Sequence, residues 1–212
     1  MISQSHFSSP LTGEARWGVE GELTKSGEGP KVRICQLRPK FQEVLNVKVA
    51  ILTVSDKGAR GEREDESGKF LKQAMKEEGA QIVAYEIVPD EQNLIEKKLK
   101  EFTDEKQADI VLTTGGTGFS LRDVTPEATL AAIDREAPGI AEAIRQKSLE
   151  ITANAMLSRA VSGLRGRALI VNLPGSLKSV KESLKVIKPV LDHALEMIAG
   201  KEHPSGKEHH HH

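Results

Sequence analysis

The stretch Ile110-Val111-Leu112-Thr113-Thr114-Gly115-Gly116-Thr117-Gly118 joins an apolar run directly to a turn of glycines and hydroxyl residues. An uninterrupted apolar run suits a strand covered on both faces, as in a parallel sheet, and glycines let the chain turn sharply beyond it. A little further on, Thr125 suits a helix N-cap, Pro126 the first helical position and Glu127 the positive end of the helix dipole. A helix is therefore expected from Pro126 to near Ala137-Pro138-Gly139.

Upstream, the same unit occurs twice. Val47 to Val54 is an apolar run that stops at Ser55-Asp56, and Phe70, Leu71, Ala74 and Met75 then share one helical face before Gly79. Ile82 to Val88 forms a second strand closed by Pro89-Asp90, followed by a helical stripe of Leu94, Ile95, Leu99 and Phe102. Downstream, a helix is expected from Ile140 to about Glu150. A fourth strand, Ala168 to Asn172, then ends in Leu173-Pro174-Gly175-Ser176. Ser179 and Glu182 have capping-box spacing for a last helix, which Pro189 should kink or split. Strands alternating with helices predict an α/β fold: a three-layer, mostly parallel sheet with helices on both faces. The order of the strands is not legible.

Residues 1–46 are rich in glycine and proline and poor in large apolar side chains. Trp17 and the alternation Val32 to Leu37 fit either a strand packed on the main domain or a partly ordered extension. The expected organisation is a short N-terminal extension (1–46), one domain (47–200) and a tail (201–212) whose last residues, His209 to His212, read as a purification tag.

Thirty Lys and Arg against 31 Asp and Glu give a net charge of −1, so no global field gathers nucleic acid or an anionic membrane surface. The lone cysteine, Cys35, excludes an internal disulfide, and no Cys/His spacing suggests zinc. No apolar run approaches the roughly 18 residues of a membrane span, and the N-terminus lacks signal-peptide character. A cytoplasmic protein without membrane or nucleic-acid partners is expected.

In open parallel sheets ligands bind beyond the carboxyl ends of the strands. Here those ends carry Ser55-Asp56, Pro89-Asp90, the glycine run with Arg122-Asp123 beyond it, and Asn172 to Ser176. One aspartate after a strand is more often a turn former than a catalyst, and the glycine run matches neither the P-loop nor the dinucleotide fingerprint. Lys57, Arg60 and Arg63, interleaved with Glu62, Glu64 and Asp65, read as a solvated loop. What remains is an anion site flanked by carboxylates. Phosphate and carboxylate repel one another, so the pair implies a bridging hard cation, Mg²⁺, brought with a nucleotide.

Thr113 to Gly118 followed by Arg122-Asp123-Val124-Thr125-Pro126-Glu127-Ala128-Thr129 resembles the signature of the MogA/MoaB family of molybdenum-cofactor proteins. The similarity extends through Thr53 to Asp56, Val88 to Glu91, Ala155 to Arg159 and Asn172 to Ser176, and covers Val47 to about Gly200. The resemblance implies a homotrimer that adenylylates molybdopterin with Mg-ATP, releases pyrophosphate and hands its product to a molybdate-insertion protein. By motif position it implies that Asp90 and Asp123 are the catalytic acids and hold Mg²⁺, without saying which touches the metal. It assigns substrate binding to Ser55, Asp56, Thr114, Gly115, Gly116, Thr117, Gly118, Thr125, Pro126 and Glu127. Ser158, Arg159, Pro174, Gly175 and Ser176 complete that set. Two rivals stand beside it: a weakly catalytic or non-catalytic trimeric module of the same fold, and a nucleotide-binding regulator that needs no pterin.

Overall fold

The computed structural model describes residues 47–200. Six strands form one sheet: β1 (Lys48–Val54), β2 (Gln81–Val88), β3 (Ile110–Thr114), β4 (Arg135–Glu136), β5 (Ser162–Arg165) and β6 (Ala168–Leu173), in the order β2-β1-β3-β6-β5-β4. β2, β1, β3 and β6 are parallel, while β5 and β4 extend the sheet antiparallel. The helices are α1 (Asp56–Ala59), α2 (Glu66–Glu77), α3 (Gln92–Lys100), α4 (Thr125–Ala132), α5 (Pro138–Leu149) and α6 (Leu177–Ile198).

Alternation along the strands builds two cores. On β1, Val49 and Ile51 join Leu71 and Met75 of α2, Ile144 of α5, and Leu184, Ile187 and Leu191 of α6. Ala50, Leu52 and Val54 join Ile95 and Leu99 of α3, Phe102, and Ala128 and Ala132 of α4 on the opposite face. Successive side chains of a strand point to opposite faces, so one apolar run fills both layers, as expected of a doubly covered sheet.

Several features differ from the sequence reading. β4 and β5 are extra strands: β4 has two exposed residues and β5 reads Ser-Gly-Leu-Arg, so neither carries an apolar run. They are held by tertiary bonds, including Ser162 Oγ donating to the Ala137 carbonyl (2.6 Å). Consequently α4 stops at Ala132, where Ile133 turns extended to feed β4, and not near Ala137. The N-cap of α6 is Ser176, whose Oγ accepts the Ser179 N–H (3.2 Å), so the expected cap lies one turn too late. Finally, α6 runs unsplit through Pro189, because Leu184 and Ile187 before it and Leu191 and Leu195 after it are all buried. α3 also passes directly into a π-helical turn, Glu101–Glu105, which seats Phe102 in the core. Among the described residues no helix is long and apolar enough to cross a membrane. The expected features of residues 1–46 and 201–212 lie outside the described residues.

Candidate functional site

The parallel register sets Thr53 beside Thr114, and Thr114 beside Leu173, so three strands end at one level. Beyond β1, the Ser55 N–H donates to the Val88 carbonyl (2.9 Å), and Ser55 Oγ caps α1 by accepting the Gly58 N–H (3.1 Å). This short turn brings Asp56 to Asp90. The Asp56 N–H donates to Asp90 Oδ2 (2.9 Å) and the Asp90 N–H to Asp56 Oδ1 (3.1 Å), fastening the loops after β1 and β2 together.

The glycines of the next loop are required by space as well as by backbone angle. Gly115 has φ +99°, and a Cβ there would lie 2.2 Å from the Val54 carbonyl oxygen. Gly116 has φ +63°, and its Cβ would meet Thr125 Oγ1 at 2.3 Å and Asp90 Oδ1 at 3.1 Å. The Asp90 carboxylate thus lies against the glycine turn. Thr125 is not the cap of α4, a place taken by Val124; its buried hydroxyl instead donates to the Gly115 carbonyl (2.9 Å). Thr114 Oγ1 donates to the Pro174 carbonyl (2.7 Å), and Ser67 Oγ, at the start of α2, to that of Gly175 (2.9 Å). These bonds gather the loops after β1, β2, β3 and β6 around a cavity of about 340 Å³.

Of the residues expected at the site, Ser55, Asp90, Thr114, Gly115, Gly116, Asp123, Gly175 and Ser176 line this cavity. The others stand outside the lining. Asp123 closes its own turn, its Oδ2 accepting the Ser120 N–H (3.0 Å) and its N–H donating to the Ser120 carbonyl (2.9 Å). Arg159 clamps that turn: its Nε donates to the Gly118 carbonyl (2.7 Å), and its other nitrogens reach the Asp123 carbonyl and Glu127. The Arg159 N–H also donates to the Thr117 carbonyl (2.9 Å). Pro126 is buried within the first turn of α4, and half-buried Ser158 ends a 3₁₀ turn, Ala153–Leu157. Asp56 stands at the rim, where Arg122 grips its carboxylate with two bonds (3.1 and 2.9 Å).

The two clasped acids are driven in opposite directions. The Arg122 guanidinium, helped by the Asp90 N–H, holds the Asp56 carboxyl below its ordinary value. Burial pushes Asp90 above the usual 3.8, against the Asp56 N–H that stabilises its charge, and the neighbouring Asp56 and Asp123 carboxylates push it further. Extra positive charge would relieve that crowding. No group of three or more His, Cys, Asp or Glu side chains among the described residues is arranged to hold a metal unaided. Asp90 and Asp123 nevertheless suit Mg²⁺, which commonly takes one or two protein carboxylates and completes its shell with water and substrate phosphates.

The far wall was not anticipated. Arg63, Glu64, Asp65, Glu66 and Ser67 line the cavity, although the charge pattern there reads as a solvated loop. That reading holds for Arg60, which pairs with Glu62 at the surface (2.7 Å). Asp65 is different. Buried at 8% exposure, it caps α2 through the Gly68 N–H (2.8 Å) and accepts the Thr53 (2.6 Å) and Tyr85 (2.8 Å) hydroxyls. Burial and this carboxylate together push the Tyr85 phenol up. The available signal was Asp65 standing at cap position ahead of the Phe70-Leu71 stripe.

Residues 50–193 match the model of a family described as a probable molybdopterin binding domain. The chain belongs to the MogA/MoaB family. It is 42% identical over 156 residues to the molybdopterin adenylyltransferase of Helicobacter pylori strain J99, covering 73% of this chain and 89% of that protein. With the Escherichia coli K12 enzyme of the same name it shares 43% over 146 residues, covering 67% and 74%. The molybdopterin biosynthesis enzyme MoaB of Thermus thermophilus superposes with a TM-score of 0.69 at 50% identity, over 73% of this chain and 98% of that one. Of the stretches that carry the MogA/MoaB resemblance, four end in residues that line the cavity, Ser55 after β1, Asp90 after β2, Asp123 after the glycine turn and Ser176 after β6, while Ala155 to Arg159 stands outside the lining.

Proposed function

We propose that this protein is a molybdopterin adenylyltransferase: it joins AMP from ATP to the terminal phosphate of molybdopterin and releases pyrophosphate. The observation that carries the reading is the placement of Asp90 and Asp123 on one cavity wall with the glycine turn Gly115-Gly116. It is supported by the identity to enzymes of that name. An oxygen of the pterin phosphate attacks the α-phosphorus, and the bond from that phosphorus to the pyrophosphate oxygen breaks. A phosphate is already anionic near pH 7, so the protein need not remove a proton. Positioning and charge compensation are what it must supply.

A magnesium ion bound with the nucleotide would neutralise phosphate charge, and Asp90 and Asp123 are the residues to hold it. The positive-φ turn at Gly115 and Gly116 (+99° and +63°) lines the cavity and packs against Val54, Thr125 and Asp90, and turns of this kind make anion-binding concavities. Asp56 and Arg159 keep the two acids in place through the loop clasp and the Arg159 clamp. Thr117, Gly118, Thr125, Pro126, Glu127 and Pro174 support the same walls, and Ser158, which bonds within its own segment, is assigned to the pterin by the resemblance alone.

The proposal extends to a homotrimer in the cytoplasm, handing its product to a molybdate-insertion protein. Residues 47–200 carry the activity and residues 1–46 take no part in it. Light scattering tests the assembly, and turnover by a chain shortened to start near Leu45 tests the division. For the activity itself, protein titrated with molybdopterin alone, with Mg-ATP alone and with both should give adenylylated pterin only in the last case. Nucleotide binding with no pterin binding would instead favour a regulator, and binding of both without product a non-catalytic module.

A further inference from the structure

Arg122 belongs to the motif that carries Asp123, yet nothing in the transfer scheme above uses it. Its backbone is fixed, because the turn from Gly118 to Asp123 is clamped at both ends by Arg159. Its side chain is not: it is 57% exposed and reaches back to Asp56, itself 30% exposed and bonded to the lining residue Asp90. Ion pairs this open to water are weakly held. Asp56 does not depend on it for its position, since its N–H and its Oδ1 are each bonded to Asp90.

The charge balance around the cavity gives Arg122 a second use. Among the described residues, the cavity lining carries one cation, Arg63, against the acids Glu64, Asp65, Glu66, Asp90 and Asp123, and the Arg122-Asp56 pair beside it is neutral. Mg-ATP still carries a net charge of about −2 and would enter beside the Asp90 and Asp123 carboxylates. The excess negative charge needs a cation from the protein. A guanidinium is also a better match for phosphate oxygens than for one exposed carboxylate, because it can donate two parallel bonds to a more highly charged acceptor.

We propose that Arg122 is a nucleotide-binding residue, parked on Asp56 in the free protein and transferred to the ATP phosphate chain when nucleotide enters. No covalent change is involved; side-chain rotation moves the guanidinium from one anion to the other while the loop stays fixed. Asp56 is then the competitor that ATP must displace, as well as the residue that fastens Asp90.

The inference rests on the transferase reading, and a binding experiment separates the two. Mg-ATP affinity is measured by equilibrium titration for the parent protein, Arg122→Gln, Arg122→Lys and Asp56→Asn, with circular dichroism as the check on folding. Asparagine at 56 keeps an oxygen for the Asp90 N–H and removes the charge that holds Arg122. Arg122→Gln should weaken Mg-ATP binding by about tenfold or more, the scale of a lost charge-assisted contact, and Arg122→Lys by less. Asp56→Asn, which removes the competing anion, should bind Mg-ATP more tightly than the parent. If the arginine served only to latch the loop to Asp56, both neutral variants would weaken binding alike, and the inference would be wrong. Unchanged affinity in folded Arg122→Gln would also overturn it while leaving the transferase reading intact. Failure of the parent to bind Mg-ATP would overturn both.

Discussion

Asp56 and Asp90 each accept the other's backbone N–H, at 3.1 and 2.9 Å, across 34 residues of sequence. The two carboxylates are thereby fixed by main-chain donors, yet only Asp90 faces the cavity, where it lies against Gly116. The clasp turns an acid at the end of β2 into a group with a set position, which is what charge compensation in phosphoryl chemistry requires.

Asp123→Asn should fold normally, since asparagine retains an oxygen for the Ser120 N–H, and should still bind the pterin. Single-turnover adenylylation should fall by about a hundredfold or more, the scale of losing one preorganised electrostatic contact. Asp90→Asn should fall similarly. The double variant should lose less than the product of the two effects if both acids serve one metal-phosphate unit. Near-normal turnover in either single variant would remove that residue from the catalytic assignment.

Acid sensitivity should report on Asp90. Its carboxyl must be ionised to assist a cation, and burial holds it above 3.8 in the free protein, so kcat/KM measured at low Mg-ATP should decline on acidification before an ordinary aspartate would protonate. For stability the sign is the reverse. Between 3.8 and the raised folded value the native protein holds more protons than the unfolded chain, so Asp90 lowers stability as pH rises through that window. Urea unfolding of Asp90→Asn at pH 7 should therefore show at least parental stability, with any gain vanishing below the unfolded aspartate value. A clear loss of stability at pH 7 would contradict this account of the shift.

Asp65→Ala should destabilise the domain by about 3 kcal/mol, because it strands the Thr53 and Tyr85 hydroxyls and uncaps α2. Denaturant midpoints measure it. A loss below about 1 kcal/mol would show that water replaces the carboxylate easily.

Gly115→Ala and Gly166→Ala make a matched pair. Both glycines have positive φ, +99° and +53°, but only at Gly115 would the new Cβ strike backbone, while Gly166 has open space. The first should cost about 3 kcal/mol or more and impair nucleotide binding, the second about 1 kcal/mol with binding intact. Equal effects would mean that backbone angle alone governs both.

The parallel part of the sheet was legible because its strands are apolar on both faces: Val49 and Ile51 fill one core, and Ala50 and Leu52 the other. β4 and β5 were not: Arg135-Glu136 owes its pairing to Leu164 and Gly163, distant in sequence, while β5 is joined to β6 by the tight turn Gly166-Arg167 but reads Ser-Gly-Leu-Arg, with no apolar run to mark it. The cap of α6 was misplaced because Ser176 and Ser179 have similar local chemistry, and only the observed start at Leu177 distinguishes them. At the cavity, strand ends and glycines drew attention to Asp90, Asp123 and the glycine turn, because they punctuate apolar runs. Asp65 escaped notice within a charged loop, since its partners Thr53 and Tyr85 lie on two different strands.

The most direct test of the central claim is to incubate the purified protein with molybdopterin and Mg-ATP and follow pterin and nucleotide products by mass spectrometry. The account predicts adenylylated molybdopterin and pyrophosphate in equal amounts, with product formation depending on magnesium and greatly reduced in Asp123→Asn. Release of ADP and phosphate, or pterin and ATP left unchanged by a protein that binds both, would contradict it.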